Sequence, residues 1–252
     1  MRESCLPHPL LFEAHATRHD AARIQRALLT TLRAPRARIL SMSEVTSITP
    51  LGVGVRATLG SGEYVDAERV ILCAGAGLVE LLRGITGASW QPAITLRAQT
   101  EIILARAPDP SLLPLHRAPM LDHLGDAHTP SFFGMGLLGK PDAFKLTIRA
   151  DTSAPGPHAW LARIALANRL AARFLPGQRW RTIETSRAVI SSTPDRLFLL
   201  GPHPEHPAIL IAAGMSGHGY KFAPLLARLL TDHLLDGSPL PLIFSPARLA
   251  SV

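Results

Sequence analysis

Lysine is nearly missing from this chain. Of its 26 basic residues only Lys140, Lys145 and Lys221 are lysines; the rest are arginine. A composition biased towards arginine accounts for the scarcity. A lysine kept against that background is a candidate for work that needs a compact, tunable ammonium rather than a planar guanidinium. Cysteine is equally sparse. Cys5 and Cys73 stand far apart, outside any CxxC or Cys/His spacing, which leaves a disulfide framework and a zinc site unsupported. Aromatics are 5% of residues, and basic residues are scattered singly apart from Arg33, Arg36 and Arg38. The net charge of +7 therefore reads as a solvated surface, and no nucleic-acid partner is expected. No stretch approaches the roughly 20 apolar residues of a membrane helix. Met1 to Phe12 (MRESCLPHPLLF) has no apolar run of a secretory leader. The expectation is a cytoplasmic protein with no membrane partner.

What is present suffices for a sizeable core, in one domain or two small ones, since the chain has 252 residues. Ala22, Ile24, Ala27, Leu28 and Leu32 recur at helical spacing and predict a helix over about His19–Arg33, followed by a short strand at Arg38–Leu40. Glu44–Thr49, Gly52–Leu59 and Tyr64–Cys73 are rich in β-formers punctuated by glycine. They predict a small antiparallel meander leading into a buried strand, Arg69–Cys73. Strands are expected again at Thr95–Leu104, Met120–Leu124, Ser131–Leu138 and Phe144–Ala150, and a helix at Ala159–Phe174. Further strands follow near Arg181–Ile190, Leu197–Leu200 and Ile209–Ala213, then a last helix, Lys221–Leu235. Helices and strands alternate at both ends, while the middle is strand-rich. This is an α/β (α+β) pattern in which an antiparallel sheet, residues 92–186, is inserted into a layer formed by residues 1–91 and 187–252.

Two segments join a strand to a glycine turn. RVILCAGAG, Arg69–Gly77, suits either a simple strand-to-helix turn or the close approach of a cofactor. ILIAAGMSGHGYKFAPLLARLL, residues 209–230, runs from an apolar strand through three glycines into an amphipathic helix. Its helix N-terminus offers free N–H groups and positive partial charge to an anionic or electron-rich ligand edge. Lys221 in the first helical turn opposes that dipole, an unfavourable placement that a ligand site explains and a plain exposed lysine also allows. His218 reads as a loop-structuring donor, with a base as the other possibility. HPEHP, residues 203–207, is not a zinc motif, because its prolines forbid the helix that such spacing requires. Lys145 and Arg149, four apart on one strand, face the same side. Two like charges there call for something anionic between them, or for solvent.

Residues 193–222, TPDRLFLLGPHPEHPAILIAAGMSGHGYKF, resemble the corresponding stretch of the monomeric sarcosine oxidase and N-methyltryptophan oxidase group of D-amino-acid-oxidase-like (DAO) FAD enzymes. RVILCAGAG resembles that family's second flavin fingerprint, and FKLTIR, Phe144–Arg149, its active-site lysine strand. The likeness implies a Rossmann-like FAD-binding domain carrying an antiparallel-sheet substrate domain. It implies Lys145 as the catalytic lysine that promotes reaction of reduced flavin with oxygen, and Lys221 as a ligand of the substrate carboxylate. Arg149 and Phe133 would face the substrate. Gly214, Ser216, Gly217, His218 and Gly219 would lie along the flavin, and Val45, Ala74, Gly75 and Ala76 near the adenosine half of FAD.

The implied activity is oxidation of a C–N bond in a carboxylate-bearing amine or amino acid, with oxygen as acceptor. Ala188 stands where the family attaches flavin through a cysteine, so the FAD would be non-covalent. Arg149 and Ile190 replace a histidine and an aromatic, so the pocket is not a faithful sarcosine pocket. The family opens on a strand and a GxGxxG loop that binds the FAD pyrophosphate, and this chain begins after it. The isolated polypeptide is therefore expected to bind FAD weakly or not at all, with a separate N-terminal FAD-binding chain as a possible partner. The alternative is a non-catalytic remnant acting as a ligand-binding or interaction module.

Overall fold

The computed structural model describes residues 20–32, 37–118, 120–125, 129–149 and 157–249. The chain divides into two units, Met1–Ser41 and Met42–Val252. In the first, helix α1 (Ala21–Thr31) starts where the Asp20 side chain accepts a hydrogen bond from Arg23 N at 3.0 Å. That contact satisfies one of the amides a helix start leaves free. The strand expected at Arg38–Leu40 does not form: these residues are exposed and irregular. Arg33 and Arg36 lie outside the described residues.

The second unit contains three sheets. Strands β1 (Val45–Pro50), β2 (Val55–Leu59) and β3 (Tyr64–Ala67) make the expected antiparallel meander. β4 (Val70–Leu72) instead joins β10 (Leu199–Pro202) and β11 (Ile209–Ala213) in the order β10-β11-β4, parallel to β11. Helix α2 (Leu78–Arg83) follows β4. Ile48, Leu78, Leu82, Leu199, Ile209 and Ile211 are almost wholly buried in one core between this sheet and the meander. Each such side chain contributes about 1.5–3 kcal/mol through burial. The segment expected as a buried strand is shorter and half open, with Ile71 and Cys73 exposed. The reason is position: β4 ends the order of its sheet.

The central sheet has five antiparallel strands in the order β6 (Leu121–His123), β7 (Phe132–Leu137), β8 (Lys140–Arg149), β5 (Thr95–Ala105), β9 (Arg181–Ser192). β8 starts at Lys140 rather than Phe144 because Leu138-Gly139 closes a two-residue hairpin, with Leu137 opposite Lys140. β9 runs unbroken through residue 187 to Ser192. Helix α3 (Pro157–Phe174) covers one face of this sheet. Ile102, Leu104, Phe132, Phe144, Leu146 and Ile148 pack there with Ala167, Leu170 and Ala171. The other face carries the polar residues of interest.

Helix α4 (Gly219–Asp236) packs Leu226 and Leu230 on Leu200, Leu210 and Ala212, the side of β10–β11 away from the first core. It stops at Gly237, whose φ of 69° is left-handed. Among the described residues no helix is long and apolar enough to cross a membrane.

Candidate active site

All five residues of β11 are buried, and the chain leaves that strand through Gly214 (φ 63°), Ser216 (φ 50°) and Gly217 (φ 81°). A Cβ on Gly214 would come to 2.8 Å from Thr193 Cγ2, so a side chain there is excluded by space as well as by φ. The loop is tied down: Ser216 N donates to Ser191 O at 3.0 Å, His218 N donates to Met215 O at 2.8 Å, and Met215 bridges Ser192. Gly217 rests against Ile190. The loop therefore sits on the carboxyl end of β9. Helix α4 begins immediately after it, and no side chain caps its N-terminus. The first-turn amides of such a helix are donors available to a ligand.

The second glycine turn, Ala74–Gly77, also lies beside β9. Around Gly75 (φ 56°) and Gly77 the space is open: no atom comes within 4 Å of a Cβ built on either. A flat ligand edge could approach this backbone closely, which is the fit a dinucleotide cofactor requires. Ala74, Gly75 and Ala76 thus fall in the same neighbourhood as the 214–219 loop. Val45 does not share that geometry. It heads β1, pairs with Leu59, and packs partly buried against the first core.

On the uncovered face of the five-stranded sheet, register decides which side chains meet, because cross-strand partners point the same way. Asp122, Phe133, Thr147, Glu101 and Ser186 form one row across all five strands. Met135, Lys145, Ile103 and Glu184 lie in the row on one side, and Arg149, Gln99 and Ala188 in the row on the other. Ile190, opposite Arg97, belongs to the next row and is where the glycine loop touches the sheet. Lys145, Arg149 and Phe133 are therefore brought to one face. Arg97 and Ile103 are six residues apart on β5, so the face extends roughly 20 Å from the loop to the Lys145 row at ~3.3 Å per residue.

Neither sheet cation is alone. Lys145 Nζ is 3.2 Å from Glu101 Oε1, with both side chains about three-quarters shielded, and Arg149 Nη2 is 2.8 Å from Asp122 Oδ1 in a more open pair. The anionic groups that two like charges on one face demand come from the protein itself. Sequence reasoning missed both carboxylates. Alternation in Gln99-Thr100-Glu101-Ile102-Ile103 could have placed Glu101 on the uncovered face, but no sequence pattern aligns it with Lys145 44 residues away.

Lys221 stands apart from this face. It is exposed on the first turn of α4, with Nζ 5.7 Å from the Phe222 ring centroid. With Arg196, Phe198, His218, Phe222 and Phe244 it lines an apolar cleft of about 440 Å³ that none of the sheet-face residues lines.

The remaining motif residues build the scaffold. Asp195 accepts from Leu197 N at 3.0 Å and pairs with Arg248 Nε at 2.8 Å, and Thr193 Oγ1 donates to Leu197 O at 2.7 Å. The hydrogen-bonded Arg248 guanidinium holds the Asp195 carboxyl well below the usual carboxylate range. In HPEHP, Glu205 accepts from Ser89 N at 2.7 Å, Trp90 N at 3.2 Å and Ser89 Oγ, and so latches the β10–β11 turn to the chain entering β5. Hydrogen bonds from Ser89 hold its carboxyl below the ordinary value. Although Cys73 is exposed at the surface, partial desolvation by the surrounding atoms pushes its thiol up, away from thiolate reactivity. Among the described residues no three His, Cys, Asp or Glu side chains are grouped to hold a metal.

A GxGxxG spacing does occur, at Gly134, Gly136 and Gly139, but in the wrong setting for a phosphate loop. Gly134 and Gly136 are inside β7 and Gly139 is in its hairpin turn, with no helix following. These glycines serve packing: a Cβ on Gly134 would lie 2.6 Å from Phe144 Cε1.

A parallel strand pair ending in two glycine turns is thus joined to a five-stranded antiparallel sheet. The chain belongs to the FAD dependent oxidoreductase (DAO) family, whose profile matches residues 8–233. It is 35% identical to a monomeric sarcosine oxidase of Streptomyces avermitilis over 91 residues, 34% of this chain and 23% of that protein. An N-methyl-L-tryptophan oxidase of Salmonella arizonae is 40% identical over 48 residues, 19% of this chain and 13% of the relative. Among solved structures, NikD, an unusual amino acid oxidase essential for nikkomycin biosynthesis, superposes with a TM-score of 0.70 at 20% identity, covering 92% of this chain and 60% of NikD. Glycine oxidase from Geobacillus kaustophilus gives 0.62 at 19%, covering 83% and 53%. The chain thus spans little more than half the length of these solved neighbours and about a quarter or less of those curated relatives.

Proposed function

We propose that this chain forms the substrate side and one flavin-facing wall of an enzyme that oxidises a C–N bond of a carboxylate-bearing amine or amino acid, with oxygen as acceptor. The observation that carries the reading is the meeting of the 214–219 glycine loop with the end of β9, on the sheet face that bears Lys145. Residues 92–186 would hold the substrate, and residues 1–91 with 187–252 the cofactor. FAD, when bound, supplies the acceptor for a hydride from the carbon next to the amine nitrogen and passes two electrons and two protons to oxygen, giving hydrogen peroxide.

The protein's own groups would bind and orient. The uncapped start of α4 would offer N–H donors and a positive end to the flavin pyrimidine edge, which Gly217, His218 and Gly219 would line, the His218 amide itself being held by Met215 O. Gly214 and Ser216 shape that loop, and Ala74, Gly75 and Ala76 would admit the adenosine half. Val45 supports that region through the core. Phe133 would lie against the substrate, and Lys145 would present a cation where negative charge develops on oxygen. Lys221, which lines a separate cleft, would have to turn towards the sheet face to take the substrate carboxylate. Arg149 would have to exchange Asp122 for that carboxylate. Ala188, in the row of Arg149 and Gln99, has no thiol for a covalent flavin bond.

A second reading has its own support. Both sheet cations already hold carboxylates, and β4 ends its sheet with Ile71 exposed. Such a surface suits a ligand-binding or interaction module, and its open edge would accept a strand from a separate FAD-binding chain. The test is FAD titration followed by amine-dependent peroxide production, for the chain alone and with a complementing GxGxxG segment. Weak FAD binding alone and peroxide formation with the complement are expected. Absence of peroxide with every carboxylate-bearing amine tried, despite bound FAD, would leave the module.

A further inference from the structure

We infer that Glu101 is a positioning residue that restrains Lys145 and thereby sets how readily the site uses oxygen. The inference rests on the reading of Lys145 given above and adds a residue to it.

Lys145 lies between Met135 on β7 and Ile103 on β5, in a row that ends beyond Ile103 at the exposed Glu184 of β9. Its immediate cross-strand neighbours are therefore apolar. An ammonium among them would extend towards whatever lies over the sheet unless something drew it aside. Glu101, one row along, does so: its carboxylate reaches diagonally to Nζ at 3.2 Å. Around it Thr147 is buried and Ser186 completes the row on the other side. The strand pairing does not need an acid at this position. Glu101 caps no turn, and its ion pair spans two strands, β5 and β8, that backbone hydrogen bonds already join, so the fold would accept a neutral residue of the same shape.

Its effect is on charge. With the pair closed, the site's cation is neutralised and turned along the sheet. Any anion arriving at Lys145, whether a substrate carboxylate or the negative charge that builds on oxygen as it takes up electrons, must compete with Glu101. The pair is shielded about three-quarters on each side, so the competition occurs where charges are felt more strongly than in water. Removing the Glu101 charge while keeping its shape should release the ammonium.

The scarcity of lysine makes this measurable without bound FAD. The chain has Lys140, Lys145 and Lys221 alone, so acetylation by acetic anhydride is resolved residue by residue by peptide mass. Lys140, exposed at the start of the same strand, is the internal reference. Glu101→Gln should raise the Lys145-to-Lys140 labelling ratio roughly two- to fivefold, the range an exposed-to-half-buried ion pair supports. Glu101→Asp should bring it back towards the native value. Loss of structure would also raise the ratio, because Lys140 is already exposed, so the variant must keep the native circular dichroism and denaturant midpoint, and recovery of the ratio by Glu101→Asp separates charge from unfolding. A second measurement needs no variant: in the native chain, raising ionic strength from about 0.01 to 1 M should increase Lys145 labelling relative to Lys140 as the pair is screened.

A ratio unmoved by Glu101→Gln, or by salt, would overturn the inference. The wider reading fails by a different result, the absence of FAD binding in the complemented protein, which leaves the labelling ratio untouched.

Discussion

Gly217 is seated against Ile190, with a backbone φ of 81° and so little room that a Cβ would stand 3.2 Å from Ile190 Cδ1. This contact fixes the glycine loop to the sheet that carries Lys145. Gly217→Ala would impose both a left-handed strain and a steric shift. We expect a loss of about 1–2 kcal/mol in stability from the backbone alone, read as a lower denaturant midpoint. FAD affinity of the complemented protein should fall further than Gly52→Ala, at a position with open space, lowers it.

Lys145→Met should slow reoxidation of the reduced, complemented protein by oxygen roughly 100-fold, on the scale of removing one preorganised charge-stabilising group. Reduction by amine should change much less. Stopped-flow traces of the two half-reactions separate them. Equal losses in both would show that the lysine serves substrate binding instead.

Lys221 and Arg149 differ in what they must give up to hold a carboxylate. Lys221 lines the open cleft over Phe222, whereas Arg149 is engaged by Asp122. Lys221→Ala is expected to weaken a carboxylate ligand about tenfold, as loss of a charge-assisted hydrogen bond does. Asp122→Asn should strengthen the same ligand if Arg149 takes part. Calorimetric titration with a carboxylate inhibitor measures both.

Stability should fall on mild acidification because of His203. It is nearly fully buried, stacks on His206 at 5.5 Å between ring centroids, and meets Trp90 edge-on at 5.1 Å. Burial first, then the neighbouring His206, push its imidazolium below the ordinary value of 6.5, with Glu205 opposing. The unfolded chain then binds the proton more readily than the folded one. Stability is full above about 6.5 and declines as pH falls below it, with a slope approaching at most about 1.4 kcal/mol per pH unit for one proton. His203→Gln should flatten the denaturant midpoint between pH 7.5 and about 5. An unchanged slope would assign the acid sensitivity elsewhere.

A second loss belongs to stronger acid. Asp195 is held low chiefly by its hydrogen bonds with Arg248, so its contribution is present above the ordinary carboxylate value, about 3.9, and is lost as pH falls through the depressed one. Arg248→Gln should lower stability at neutral pH and reduce the dependence below about pH 4. Thermal unfolding of the two proteins across that range checks it.

Much of the fold was legible because its signals are local. Apolar periodicity, Asp20 before α1, Gly237 after α4 and the buried run Ile209–Ala213 each act within one or two turns of chain. The glycine loop was legible for the same reason: positive φ and the helix that follows are properties of consecutive residues. Arg38–Leu40 misled because a strand needs a partner, and nothing in three residues reveals whether one exists. Ile71 misled in the same way, since its apolar neighbours read alike in a central strand and an end strand.

By itself, then, the sequence determined that a glycine turn would follow each of two apolar strands, and that Lys145 and Arg149 would share a face. Strand alternation settles that second point whatever lies nearby. Only the tertiary structure decided what those cations meet. Register across five strands sets Glu101 beside Lys145 and Asp122 beside Arg149, joining residues 44 and 27 positions apart through backbone hydrogen bonds that no local pattern encodes. It also laid the loop on Ile190 and placed Lys221 over a separate cleft. A side chain's direction follows from its own strand, whereas its partner follows from how the strands are paired.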